Sequence, residues 1–190
     1  MNPQLPSSDA LQWVADVLQF WLHETPREAW FKSTPEQDRA IAERFGGLHA
    51  ELHDRPPDPD ELDAETALAT LIVLDQFSRN MFRGTPKAFA SDATARAIAT
   101  AAVDAGLDRQ LPPEARIFLY LPFEHSEDIA DQDRSVALFA SLGLAKYEPY
   151  AKSHRDIIAR FGRFPHRNAI LGRPSTPEEL AFLREPGSAF

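Results

Sequence analysis

The 190 residues carry a net charge of −9, 43 % hydrophobic residues and no cysteine. That balance excludes a disordered chain and general nucleic-acid binding, which needs a basic surface, and no apolar run approaches the ~18 residues that cross a bilayer. Without cysteine there are no disulfides, thiolate metal sites or thiol nucleophiles, and the start MNPQLPSSDALQW has no export-leader pattern, so a single cytoplasmic domain over residues 1–190 is expected.

Helical spacing dominates. Leu11, Val14, Val17, Leu18 and Trp21 share one face of a first helix that Ser8 or Asp9 caps. Thr34-Pro35-Glu36-Gln37 has the form of a capping box opening a helix to about His53. The acidic, proline-rich run DRPPDPDE (54–61) is a stiff connector, too short to separate one domain from another. A buried helix over 64–77 follows, then one over 92–105 that stops at Gly106. Pro112-Pro113-Glu114 opens a short helix ending near Pro122, and helices over 127–142, 148–161 and 177–183 complete the chain, the last behind Thr176-Pro177-Glu178-Glu179. No alternating strand pattern and no fixed repeat are present. The fold class is all-α, with six to eight helices in antiparallel hairpins as in a bundle or α-solenoid.

Trp13, Trp21, Trp30 and Phe31 are expected in the core, and His49 and His53, spaced four apart beside the acidic connector, on a solvated face. Polar groups recur in three places. Asp75, Gln76, Arg79, Asn80 and Arg83 follow the apolar helix, with Asp75 and Arg79 spaced to pair. In Glu124-His125-Ser126-Glu127-Asp128 the carboxylates stand at a helix start, and His125, Asp128 and Gln132 have the spacing of one helix face. The third group is His154, Arg163, His166, Arg167, Asn168 and Arg173. From Lys152 to Arg173 six basic residues stand against one acid, Asp156, a local patch suited to a small anion or an acidic partner.

The strings LDQFSRN (74–80), LPFEHSED (121–128) and FGRFPHRNAILGR (161–173) resemble the signatures of the bacterial proteins grouped as domain of unknown function 924, over about Val17 to Leu183. The resemblance implies a helical fold similar to tetratricopeptide-repeat domains and brings no activity, substrate or cofactor.

Two functional readings stay open. In the first, the ligand-binding set Asp75, Gln76, Arg79, Asn80, Arg83, His125, His154, Arg163, His166, Arg167, Asn168 and Arg173 lines one pocket for a small anionic ligand. Arg163 and Arg167, either side of Pro165-His166, then converge on a carboxylate or phosphate, and His125 or His166 acts as acid or base, oriented by Asp128 or Glu127. In the second, a helical groove takes a peptide and the polar groups form a structural network. Hydrolase-elbow, P-loop and dinucleotide motifs are absent, which removes those common classes and leaves any cofactor unknown. Neighbouring residues of a helix start diverge, so no metal site is expected at 124–128.

Overall fold

A computed structural model describes residues 8–188, with side chains from Gln12 onward, and no strand occurs among them. The helices are α1 (Ser8–Leu18), α2 (Pro35–Asp54), α3 (Ala64–Leu71), α4 (Ser78–Met81), α5 (Asp92–Asp104), α6 (Pro113–Glu124), α7 (Ile129–Ser141), α8 (Glu148–Phe161) and α9 (Pro177–Phe182). The expected side-chain cap from Ser8 or Asp9 lies outside the described side chains. Thr34 does cap α2, accepting from the Gln37 amide. Thr176 and Glu179 form a reciprocal capping box on α9.

Two turns of π-helix interrupt the pattern, Gln19–Glu24 after α1 and Ile72–Phe77 between α3 and α4. The second makes 64–81 one continuous helical rod, four residues longer than the apolar spacing predicted. The apolar run ends at Phe77, but helix continues because Ser78, Arg79 and Asn80 find partners on neighbouring elements. Helix α6 likewise runs past Pro122 to Glu124. An internal proline forfeits one ladder bond, and here fully buried Leu119 and Phe123 hold the chain helical through it.

Helices α5, α6 and α7 each pack against the next in sequence, while α3 lies against α1, α5 and α6. The core centres on Trp21, whose ring meets Phe77 edge-on at 5.4 Å and Phe118 at 5.9 Å. Trp30 joins it, donating its indole N–H to the Trp21 carbonyl at 2.8 Å. Phe31 does not: it is 49 % exposed, with its ring 6.1 Å from Tyr147.

His49 also departs from expectation, since it is buried rather than solvated. The Ser78 hydroxyl donates to the Leu74 carbonyl at 2.7 Å and takes up His49 Nε2 at 2.6 Å, which satisfies an imidazole in an apolar setting. His53 bonds Ser91 at 2.9 Å. Among the described residues no helix is long and apolar enough to cross a membrane.

Candidate functional site

Asp75 sits on the π-helical turn, where the widened backbone carries it into the centre of the molecule at 1 % exposure. Its carboxylate meets Arg79 Nη1 at 2.9 Å and His125 Nδ1 at 2.8 Å, and accepts from the Gln76 amide. Burial alone would raise its pKa. Arg79 and His125 outweigh that and hold it at about 2, so the group is a carboxylate at neutral pH. Arg79 also forms a two-pronged pair with Asp92, at 3.1 and 3.2 Å. Asp92 opens α5, where the helix dipole favours an acid.

His125 and Glu124 end α6, and the turn that carries them is fixed from α7. The buried Gln132 amide donates to the carbonyls of Phe123, Glu124 and Ser126, at 3.3, 2.7 and 2.7 Å. His125, Asp128 and Gln132 therefore do not share a helix face: α6 stops at Glu124 and α7 starts at Ile129. Glu124 faces His154 of α8 at 3.4 Å. Burial, then the Asp75 charge, pushes Glu124 up to about 8, while burial pushes His154 down to about 3. Both are neutral at pH 7. The His154 Nδ1–H donates to the Tyr150 carbonyl at 2.9 Å.

The last member arrives on the segment after α8. Gly162, at φ +69°, ends that helix in the left-handed conformation and turns the chain into the 3-10 turn Pro165–Arg167. Arg167 is thereby driven inward, to 7 % exposure. Its guanidinium carbon lies 4.5 Å from the Phe164 ring and 4.7 Å from Phe89. Asp92 approaches Nη1 only to 3.5 Å, and the buried Nε has no hydrogen-bond partner. Burial, then Arg79, lowers the Arg167 pKa to about 10. His166 stands half-buried, its ring 5.5 Å from Phe164, and is pushed down to about 4 by burial and then Arg167.

The residues predicted to share one pocket divide into three groups. Asp75, Gln76, Arg79, His125, His154, His166 and Arg167 gather as described. Asn80 and Arg83 turn instead to Asp38 of α2, at 2.8 and 3.2 Å, with Ser33 beside them. Arg163, Asn168 and Arg173 form a clasp. Arg163 grips the Glu179 carboxylate with two N–H groups at 2.6 and 2.9 Å, Asn168 donates to Ser175 at 3.1 Å, and Arg173 holds Glu127 at 2.6 and 2.9 Å.

Arg163 and Arg167 thus do not converge, because the 3-10 turn sends them to opposite tasks. The carboxylate orienting His125 is Asp75, not Asp128 or Glu127. Glu127 is committed to Arg173 and the Phe164 amide, and exposed Asp128 caps α7. The basic patch from Lys152 to Arg173 is neutralised arm by arm: Lys152 by Glu148, Arg155 by Asp133, Arg160 by Glu178, and Arg163 and Arg173 as above. Arg167 has the weakest pairing.

Asp92, Phe89, Phe164 and Glu124 had no place in the predicted pocket. An acid at the first position of α5 was a local signal for Asp92; of the aromatic partners of Arg167, Phe164 lies three residues before it, while Phe89 comes from a distant segment and leaves no spacing to read. No group of three or more His, Asp or Glu side chains among the described residues is arranged to hold a metal ion. Two open clefts, of about 430 and 500 Å³, lie elsewhere, the first lined by Arg96 and Asp131 and the second by Arg109, Arg116 and Arg134.

A family model described as bacterial protein of unknown function (DUF924) matches residues 17–187. The chain is also similar to the solved structure of a protein of unknown function from Agrobacterium tumefaciens, at 43 % identity and a TM-score of 0.87, over 93 % of this chain and 99 % of that one. Among proteins of curated function no match is found. This chain belongs to the bacterial DUF924 family.

Proposed function

We propose that the Asp75–His125–Arg167 cluster binds a small anion and that His125 serves there as its acid-base group. Arg167 carries this reading. A buried guanidinium costs several kcal/mol unless its donors are engaged, and this one keeps an unbonded Nε and a single 3.5 Å ion pair. An anion at the Nη end supplies the close counter-charge that Asp92, at 3.5 Å, does not. Arg163, held by paired N–H bonds to Glu179, is what a purely structural arginine looks like.

The dyad beside it supports chemistry as well as binding. Asp75 takes His125 Nδ1–H, which leaves Nε2 as the lone-pair nitrogen for a ligand proton. Burial and then Arg79 lower the His125 pKa, so the ring is neutral at pH 7 and starts as a base. Asp75, itself fixed by Arg79 and Gln76, sets the tautomer and stabilises the imidazolium once a proton is taken.

The test is a thermal-shift titration of the whole chain with acetate, lactate, methyl phosphate and sulfate, at matched ionic strength, beside Arg167→Met. At least one anion is expected to raise the melting temperature of the wild type, a ligand at a hundred times Kd contributing about 2.7 kcal/mol. The variant should show no such shift. Equal shifts in both proteins, or none in either, overturn the proposal.

A further inference from the structure

We infer that the anion is a small monocarboxylate, gripped in the plane of the Arg167 guanidinium, rather than a phosphate or a dicarboxylate. The inference rests on the anion-site reading above and names its ligand class.

Charge comes first. Around the cluster the formal charges already cancel, with Arg79 and Arg167 set against Asp75 and Asp92, while Glu124 and His154 are neutral. A phosphomonoester brings about −1.5 to −2 charges at pH 7. In a setting of low permittivity those meet two fixed carboxylates with no free cation to match them. One negative charge is what the loosely paired Arg167 can answer. The residual repulsion from Asp75 and Asp92 is relieved by a single proton on His125.

Shape agrees. The N–H donors of arginine lie in the guanidinium plane, and the Phe89 and Phe164 rings packed on this one leave polar contact to that plane. Carboxylate and phosphate can both meet two in-plane donors, but a phosphate has further oxygens to satisfy, and Phe89 and Phe164 beside this guanidinium offer them no donor. Size agrees too. Side-chain exposure is 8 % at Arg167, 16 % at His125, 20 % at Arg79 and 23 % at Asp92, so the cluster meets solvent over a narrow area that suits nothing large.

The closing experiment compares probes of similar size on the wild-type chain by isothermal titration at pH 7 and constant ionic strength: propionate and lactate against methyl phosphate and malonate. The monocarboxylates are expected to bind at least tenfold tighter than either dianion. Proton uptake with the monocarboxylate, read from titrations in buffers of different ionisation enthalpy, is expected for His125 and absent in His125→Ala. Arg167→Lys, which keeps the charge and loses the fork, should weaken propionate at least tenfold. Methyl phosphate or malonate binding as tightly as propionate sinks the ligand class and leaves the anion site standing. Silence from all four probes sinks both.

Discussion

Arg163 and Arg167 stand four residues apart on one turn of chain, and the protein treats them in opposite ways. Arg163 faces outward, and each donor it offers Glu179 is answered; the same carboxylate accepts from Asn168 and from the Thr176 amide, so one side chain closes the clasp and caps α9. Arg167 faces inward and is left with rings, one distant aspartate and an unbonded Nε. Burial and ion pairing by themselves therefore do not separate a scaffold from a site. On the reading proposed above, the number of donors left unanswered does.

Five variants test that contrast, beginning with the largest effect. Asp75→Ala strands Arg79 and His125 in the interior and should cost about 3–5 kcal/mol in denaturant unfolding; a loss below about 1 kcal/mol would mean that water already reaches the cluster. Glu124→Gln acts in the other direction. Glu124 keeps its proton to about 8 in the folded chain but loses it near 4.5 when unfolded, so the native state holds the extra proton and stability falls as pH rises between those values. The glutamine variant, which has no proton to hold, should be more stable than wild type by about 4 kcal/mol at pH 8 and close to it near pH 4.5.

His154 gives the opposite slope, because its folded pKa of about 3 makes the unfolded state bind the proton first as pH falls below about 6.5. Together the two should make wild-type stability rise from about pH 3 to 4.5, stay level to about 6.5, where the opposite slopes cancel, and fall toward pH 8; a flat profile from pH 6.5 to 8 would contradict the Glu124 assignment, and one from pH 3 to 4.5 the His154 assignment.

On the clasp side, Glu179→Gln keeps the shape and removes the charge, and a loss of about 2 kcal/mol is expected, roughly 4–8 °C in Tm for a chain of this size. Smallest in stability, and sharpest in meaning, is Arg167→Met. Exchanging a poorly paired buried ion for an apolar chain should leave stability within about 1 kcal/mol, or raise it, while anion-induced stabilisation disappears. Arg163→Met, by contrast, should lower Tm and leave anion binding intact. Matching outcomes for the two arginines would erase the distinction between clasp and cluster.

Much of the fold was legible because it depends on local signals. Apolar spacing, Thr34 and Thr176 caps and the Gly106 stop located the helices, and α8 fell at its predicted limits. The site was half legible. The spacing of Asp75 and Arg79 announced their pair, and the histidines were marked by type. Asp75 to His125 spans fifty residues, however, and nothing in either local string says they meet. Glu127 and Asp128 looked better placed to orient His125 because they are near in sequence; the break between α6 and α7 removes that advantage. Phe31 and His49 failed for a related reason, since composition of the local face could not anticipate the Tyr147 ring at the surface or the Ser78 hydroxyl in the interior.

The π-helical turn at Ile72–Phe77 has a consequence for how this chain can change. Such a turn holds one residue more than the helix around it, and each helical residue advances about 100°. Deleting a single residue there, Gln76 for instance, lets the rod heal into an unbroken ladder that still buries Leu71 and Leu74. Because the wide turn absorbs that residue, the helix beyond the cut keeps its facing, with Arg79 toward Asp92 and Ser78 toward His49, and the change is confined to the turn that carries Asp75. A chain so shortened keeps its helices and the contacts of α4, and the cost falls on Asp75, whose reach to Arg79 and His125 depends on the wide turn.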